Sequence, residues 1–208
     1  MTLILNDFRS IDTACIPDDS VDIIFTEPQD RKKFKANCEL LGVISSRVLR
    51  NGGSLLIAAA QDALPAVLDY MKNSGLKYWW QIANQHGISE IHRERQVRVM
   101  WKPILWFVKG DRLRTSGLIH DSIESQPLSN GIHNWEQSAD VAENLISDLT
   151  SENDVVFDPM MGTGATGIAA INSKRQFIGI EQDPQAFRIA EARIRVLCPE
   201  DKITIKKQ

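Results

Sequence analysis

The chain has 208 residues, 43% of them hydrophobic and 25% charged, proportions of a folded globular protein rather than a disordered one. Its formal net charge of −3 excludes a global attraction to nucleic acid, so any surface for a polyanion must be a local patch. No apolar run approaches membrane-spanning length, and Asp7 and Arg9 interrupt any signal-peptide core, so a cytoplasmic protein with no membrane partner is expected.

Leu3-Ile4-Leu5 predicts a short strand ending near Asp7, and residues 21–25 predict a second, ending at Thr26-Glu27-Pro28-Gln29. From about 37 to 49, Leu40, Leu41, Ile44 and Val48 recur at helical spacing before a stop at Asn51-Gly52-Gly53. A strand at 54–59 and a helix at 63–73 follow. Strands at 76–84 and 102–109 lack a convincing helix between them and read as an antiparallel hairpin around an Arg-rich connection at 90–99. Residues 113–127 read as loop and 139–149 as helix. A strand at 155–157, a glycine turn, a helix from Ile168, a strand at 177–180 and a helix at 184–197 complete the order, with Ile203 in a short edge strand. Such alternation implies an α/β fold: a mostly parallel sheet of seven strands, one of them antiparallel, with helices on both faces. One domain over 1–208 is expected, with halves at 1–110 and 133–208 joined by a connecting loop at 111–132.

The most informative segment is Val155-Val156-Phe157-Asp158-Pro159-Met160-Met161-Gly162-Thr163-Gly164-Ala165-Thr166-Gly167. A strand, a three-glycine turn and a helix start bring backbone N–H groups close to a ligand. At the end of the next apolar run stands Glu181, an acid able to accept hydrogen bonds from both hydroxyls of a ribose. The glycines also fit a dinucleotide fingerprint, but Asp158 would repel a pyrophosphate and suits a cation. A dinucleotide domain also opens with this motif, whereas here most of the apolar runs precede it. The ligand inferred is S-adenosylmethionine, which carries a sulfonium and an ammonium and no phosphate. Cys15, Cys38 and Cys198 lack paired spacing, and the four histidines lack ligand spacing. No metal site is expected.

With the glycine turn late and the Thr26-Glu27-Pro28-Gln29 strand end early, the chain resembles the amino-methyltransferases of DNA bases (adenine N6 or cytosine N4), in the permuted group whose catalytic motif comes first. Asp158 to Gly167 is similar to that family's cofactor loop, and Phe177-Ile178-Gly179-Ile180-Glu181-Gln182-Asp183 matches its next strand. His133-Asn134-Trp135-Glu136-Gln137-Ser138, Lys102 to Gly110, and Leu5-Asn6-Asp7 with Ser20 to Thr26 resemble further elements in the family's order. The resemblance implies a Rossmann-like class I methyltransferase fold and roles at the matched positions. Asp158 would hold the methionine ammonium, Gly162 and Gly164 would let the backbone approach the cofactor beside Met160, and Thr166 would cap the helix. Glu181 would bind the ribose with Asp183 nearby, and Asp7 would accept from the adenine amine. Trp135 and Ser138 would lie against the methionine; Trp135 equally reads as a core or surface aromatic, and Asp7 as a turn cap.

At the catalytic strand end the family pattern is an acid or amide, two prolines and an aromatic ring. Here Glu27, Pro28, Gln29 and Asp30 stand in its place, so the second proline and the stacking ring are missing. Glu27 keeps the carboxylate with one methylene more of reach. Arg31, Lys32 and Lys33 follow it, and Arg93, Arg95 and Arg98 cluster with Lys102 in the hairpin connection near Trp79, Trp80 and Trp101; both segments read either as DNA contacts or as solvated charge. Sequence specificity would come from short loops, be low, or be supplied by a second protein subunit. The expected activity is methyl transfer to a DNA base amine, adenine N6 first. The alternatives are a catalytically silent homologue that binds cofactor or DNA as a subunit or regulator, and an enzyme acting on RNA or a protein amide.

Overall fold

A computed structural model describes residues 1–10, 16–28, 34–112, 117–125, 139–199 and 202–207. In chain order its elements are β1 (Thr2–Leu5), β2 (Val21–Thr26), α1 (Phe34–Val48), β3 (Leu49–Ala58), α2 (Leu64–Met71), β4 (Lys77–His92) and β5 (Val97–Val108). Then come β6 (Ser122–Ser125), α3 (Ala139–Leu149), β7 (Val155–Asp158), α4 (Ala165–Asn172), β8 (Gln176–Glu181), α5 (Pro184–Leu197) and β9 (Thr204–Lys207).

The strands form one sheet in the order β6-β4-β5-β3-β2-β7-β8-β1-β9. Only β5 runs against its neighbours β3 and β4; the other pairings are parallel. The expected α/β class with a single antiparallel strand therefore holds. Among the described residues the sheet has nine strands rather than seven. Of the two further strands, β9 starts one residue past the edge strand expected at Ile203, and β6 falls in a stretch read as loop, because Ser-Ile-Glu-Ser offers one apolar side chain; its backbone pairs with the edge of β4 and Ser122 Oγ accepts from Gln85 Nε2 at 2.7 Å.

Alternation along the central strands separates two cores. Ile24, Leu55, Ile57, Leu105 and Phe107 face α1 and α2, packing on Cys38, Leu41, Ile44, Val67 and Met71. Ile23, Phe25, Leu56, Ile104 and Trp106 face the other way, with Leu145, Ala169, Phe187 and Ile194 from α3, α4 and α5. Each large side chain fully buried in this way stabilises the fold by roughly 1.5–3 kcal/mol relative to its exposure.

Three local expectations shift. The Asn51-Gly52-Gly53 stop is not a loop but a bulge inside β3, where pairing with β2 jumps from Leu49 to Ser54 and Gly52 takes a φ of 82°. The helix after the glycine turn starts at Ala165, a turn earlier than Ile168. The hairpin strands run far past 84 and 102, leaving only residues 93–96 as their turn, because Val97, Val99 and Trp101 continue a two-residue alternation. Among the described residues no helix is long and apolar enough to cross a membrane.

Candidate functional site

Strands β2, β7, β8 and β1 are consecutive and parallel, so their carboxyl ends lie side by side. The chain leaves β2 through α1 toward β3 and leaves β7 through α4 toward β8, in opposite directions and on opposite faces. Between them opens the crevice where α/β sheets take their ligands. A cleft of about 390 Å³ occupies this place. Asn6, Asp7 and Arg9 after β1, Glu27 after β2, Met160 and Gly162 after β7, and Glu181 and Asp183 after β8 all line it.

The glycine turn is built for close approach. Gly162 has a φ of 53° and Gly164 of 87°, both left-handed, and a Cβ on Gly164 would stand 3.0 Å from that of Ala190. The Gly162 N–H donates to Glu181 Oε2 at 2.9 Å, and the Asp183 N–H to Oε1 at 2.8 Å. Glu181 is thereby fixed by two backbone donors at the rim of the cleft. Asp183 caps α5 through the N–H groups of Gln185 and Ala186 at 2.6 and 3.0 Å, ahead of Pro184. Asp7 accepts from the Arg9 side chain at both oxygens.

Asp158 lies behind the cleft rather than on its wall. It is 3% exposed and accepts from Thr26 Oγ1 at 2.8 Å, Thr166 Oγ1 at 2.7 Å and the Met160 N–H at 3.0 Å. Burial pushes its carboxyl up to about 6 against those three hydrogen bonds, with Glu181 adding to the rise. Thr166 does not cap α4, whose N-cap is Gly164; its hydroxyl donates to the buried Asp158 carboxylate instead. This set joins the glycine turn to Thr26, the residue before Glu27.

Glu27 meets Lys102 of β5, which donates to its Oε1. Its Oε2 is buried and, among the described residues, without a hydrogen bond. Sequence spacing carries no sign of this pair, since 75 positions separate the two residues and only the strand order brings them together. Gln29, Arg31, Lys32, Lys33, Trp135 and Ser138 lie outside the described residues, although Pro28 is described and buried. Arg93, Arg95 and Arg98 are exposed at the tip of the β4–β5 hairpin. Beyond Ile82, which is level with Ala58 at the end of β3 through Ile104, this arm extends for about 23 Å along β5 to Val97 at the usual rise of a strand. Trp79 and Trp80 do not join it. They lie at the opposite end of β4, lining a second cavity of about 320 Å³ with Trp106 and Arg112. Among the described residues no group of three His, Cys, Asp or Glu side chains is placed to hold a metal.

The main cleft thus presents Asp7, Glu27, Glu181 and Asp183 and one arginine already paired with Asp7. Such a wall suits a ligand with cationic and hydroxyl groups and repels a polyphosphate. The residues present fit S-adenosylmethionine on that ground: fixed carboxylate acceptors for hydroxyls, a turn with glycine at 162 and 164, and acidic walls.

Comparison with known proteins agrees with this geometry. The type II methyltransferase M.HindIII of Haemophilus influenzae is 24% identical over 202 residues, covering 72% of this chain and 65% of that protein. M2.LlaDCHI of Lactococcus lactis subsp. cremoris is 36% identical over 64 residues, 31% of this chain and 24% of its own length. The chain thus spans less than two thirds of these relatives. Among solved structures, M1.HpyAVI in complex with S-adenosylmethionine superposes with a TM-score of 0.74 at 25% identity, covering 93% of this chain and 99% of that one. The fold is shared by the putative DNA modification methylase TTHA0409 of Thermus thermophilus, complexed with S-adenosyl-L-methionine (TM-score 0.75, 20% identity, 98% of each chain), and by the cytosine-N4-specific PvuII DNA methyltransferase (0.76, 16%, 99% and 94%). The DNA methylase family profile of N6 and N4 type matches residues 19–192, most of the sequence, and the chain belongs to that family.

Proposed function

We propose that the protein binds S-adenosylmethionine in the acidic cleft and transfers its methyl group to the exocyclic amine of a DNA base, adenine N6 first. The observation that carries this reading is Glu181, held by the Gly162 and Asp183 N–H groups at the end of β8 beside the glycine turn. Glu181 would take the ribose hydroxyls, Asp7 the adenine amine, and Met160 and Gly162 would border the cofactor. Asp158 would act from behind, fixing the turn against Thr26, and Asp183 would shape the rim as the cap of α5. Trp135 and Ser138 would complete the methionine side. When bound, the cofactor supplies a methyl carbon that the amine nitrogen attacks as the C–S bonding pair passes to sulfur, and the alkylated nitrogen then sheds one proton. Glu27 would accept an N–H of that amine, and Pro28 and Gln29 would shape the turn beside it.

The β4–β5 arm would meet the DNA. A two-stranded ribbon fits the major groove, about 12 Å wide, and Arg93, Arg95 and Arg98 would contact phosphates, with Arg31, Lys32 and Lys33 a second basic segment. One domain carries all of this in the proposal, with sequence preference read by the arm or by a second subunit.

A second reading is a homologue that binds cofactor but does not turn over; it is favoured by Glu27, whose Oε1 is already occupied by Lys102. One experiment separates the two. Calorimetry should register S-adenosylmethionine binding, and Glu181→Ala should weaken it about 10- to 100-fold, the range of a lost charge-assisted hydrogen bond. Labelled cofactor and mixed DNA, digested and analysed by mass spectrometry, should yield a methylated base. Cofactor binding without any methylated nucleoside would leave the silent reading, and no binding would remove both.

A further inference from the structure

The catalytic strand end has a companion from a distant strand, Lys102. Lys102 stands on β5 and Glu27 just past β2, with β3 between those strands. Their pair therefore reaches across the end of β3, where Ala58 and Ala59 carry only methyl groups. Backbone contacts on both sides hold Lys102 in place: the Ala59 N–H donates to the Pro103 carbonyl at 3.1 Å, and Gln61 Nε2 to the Trp101 carbonyl at 3.4 Å. Across the hairpin Lys102 faces Asn84, whose Oδ1 is also buried and without a partner. The ammonium nevertheless turns to Glu27.

A carboxylate has two acceptor oxygens. In Glu27 one is neutralised by Lys102, while the other, Oε2, is buried and accepts nothing among the described residues, in a residue that lines the cleft. A buried acceptor left unpaired is costly, and a donor brought in by a ligand removes that cost. We propose that Lys102 is a positioning residue for Glu27: it binds Oε1 and so presents Oε2 to an N–H of the target base amine. The extra methylene of Glu27 makes such a tether necessary, because a longer side chain has more rotamers to choose from. This inference rests on the methyl-transfer reading above. Glu27 is the charged group that meets the ammonium; Asn84, Ala58 and Ala59 around it are uncharged. Burial pushes the Lys102 ammonium down to about 8.

The test compares the natural protein with Lys102→Met and Lys102→Arg in single-turnover methyl transfer to DNA, with S-adenosylmethionine affinity measured in parallel by calorimetry. Lys102→Met should slow transfer about 100-fold, as expected for a group misplaced by about 1 Å, with cofactor affinity within about twofold. Lys102→Arg should restore much of the rate. It should also remove the fall in rate expected of the natural protein above about pH 8, where the Lys102 ammonium gives up its proton, since a guanidinium stays charged there. Transfer by Lys102→Met at the natural rate or faster would overturn the inference and leave the methyl-transfer reading intact. Equal loss in both variants with the pH profile unmoved would reduce the pair to a structural one. No transfer by the natural protein despite cofactor binding would overturn the methyl-transfer reading, and the inference with it.

Discussion

At the residue scale Asp158 is a strand-end carboxylate whose oxygens are all taken by the protein itself. Its position is legible from the motif, but its surroundings are not. Thr26 lies 132 positions away, and nothing local indicates that its hydroxyl fills the carboxylate. The carboxyl rises from 3.8 to about 6 on folding, so the folded state holds its proton more tightly than the unfolded chain. That contribution to stability is fully present below about pH 3.8 and is lost as pH rises through about 6. A displacement of this size corresponds to about 3 kcal/mol. Asp158→Asn should remove the dependence. The stability difference between natural protein and variant, from urea unfolding at pH 4 and pH 7, should therefore shrink by about that amount between the two; a constant difference would refute the burial argument.

At the element scale the β4–β5 arm is the feature most changed by the structure. Its existence follows from the missing helix between two apolar runs, but apolar content alone ends both strands too early. Outside the sheet there is no core to demand apolar side chains, so hydrophobic patterning loses its force while backbone pairing continues to His92↔Val97. Ile91, Val97 and Met100 are accordingly 62%, 51% and 51% exposed. Replacing Arg93, Arg95 and Arg98 together by Ala should lower DNA affinity about equally across sequences. The salt dependence should flatten by about 0.9 in log–log slope for each phosphate no longer neutralised, read by fluorescence anisotropy across a salt series. Affinity and slope unchanged would show the arm's charge to be merely solvated.

At the scale of the whole molecule the two sequence halves interleave. β1, from the first half, lies between β8 and β9 of the second, and β2 pairs with β7. Neither half has a complete sheet, since removal of residues 1–110 exposes an edge of both β7 and β8. Fragments 1–112 and 133–208 made separately should lack stable structure by circular dichroism, and should recover it when mixed. The intact chain should unfold in one transition whose midpoint rises with S-adenosylmethionine. Two transitions, or a fragment folded alone, would contradict a single domain.

The sequence by itself determined the family and the elements other than β6 and the outer β4–β5 arm, because strand periodicity, the glycine turn and the acid at the end of the next strand are all local features. It also placed Asp7, Glu181 and Asp183 at strand ends, and parallel strands deliver their ends to one side of a sheet. What only the tertiary structure decided is who meets whom there. Thr26 and Asp158 meet because β2 and β7 are neighbours, and Lys102 reaches Glu27 because β5 runs antiparallel beside β3. Strand order is a property of the assembled sheet, where burial of both faces is settled at once, and no window of sequence contains it.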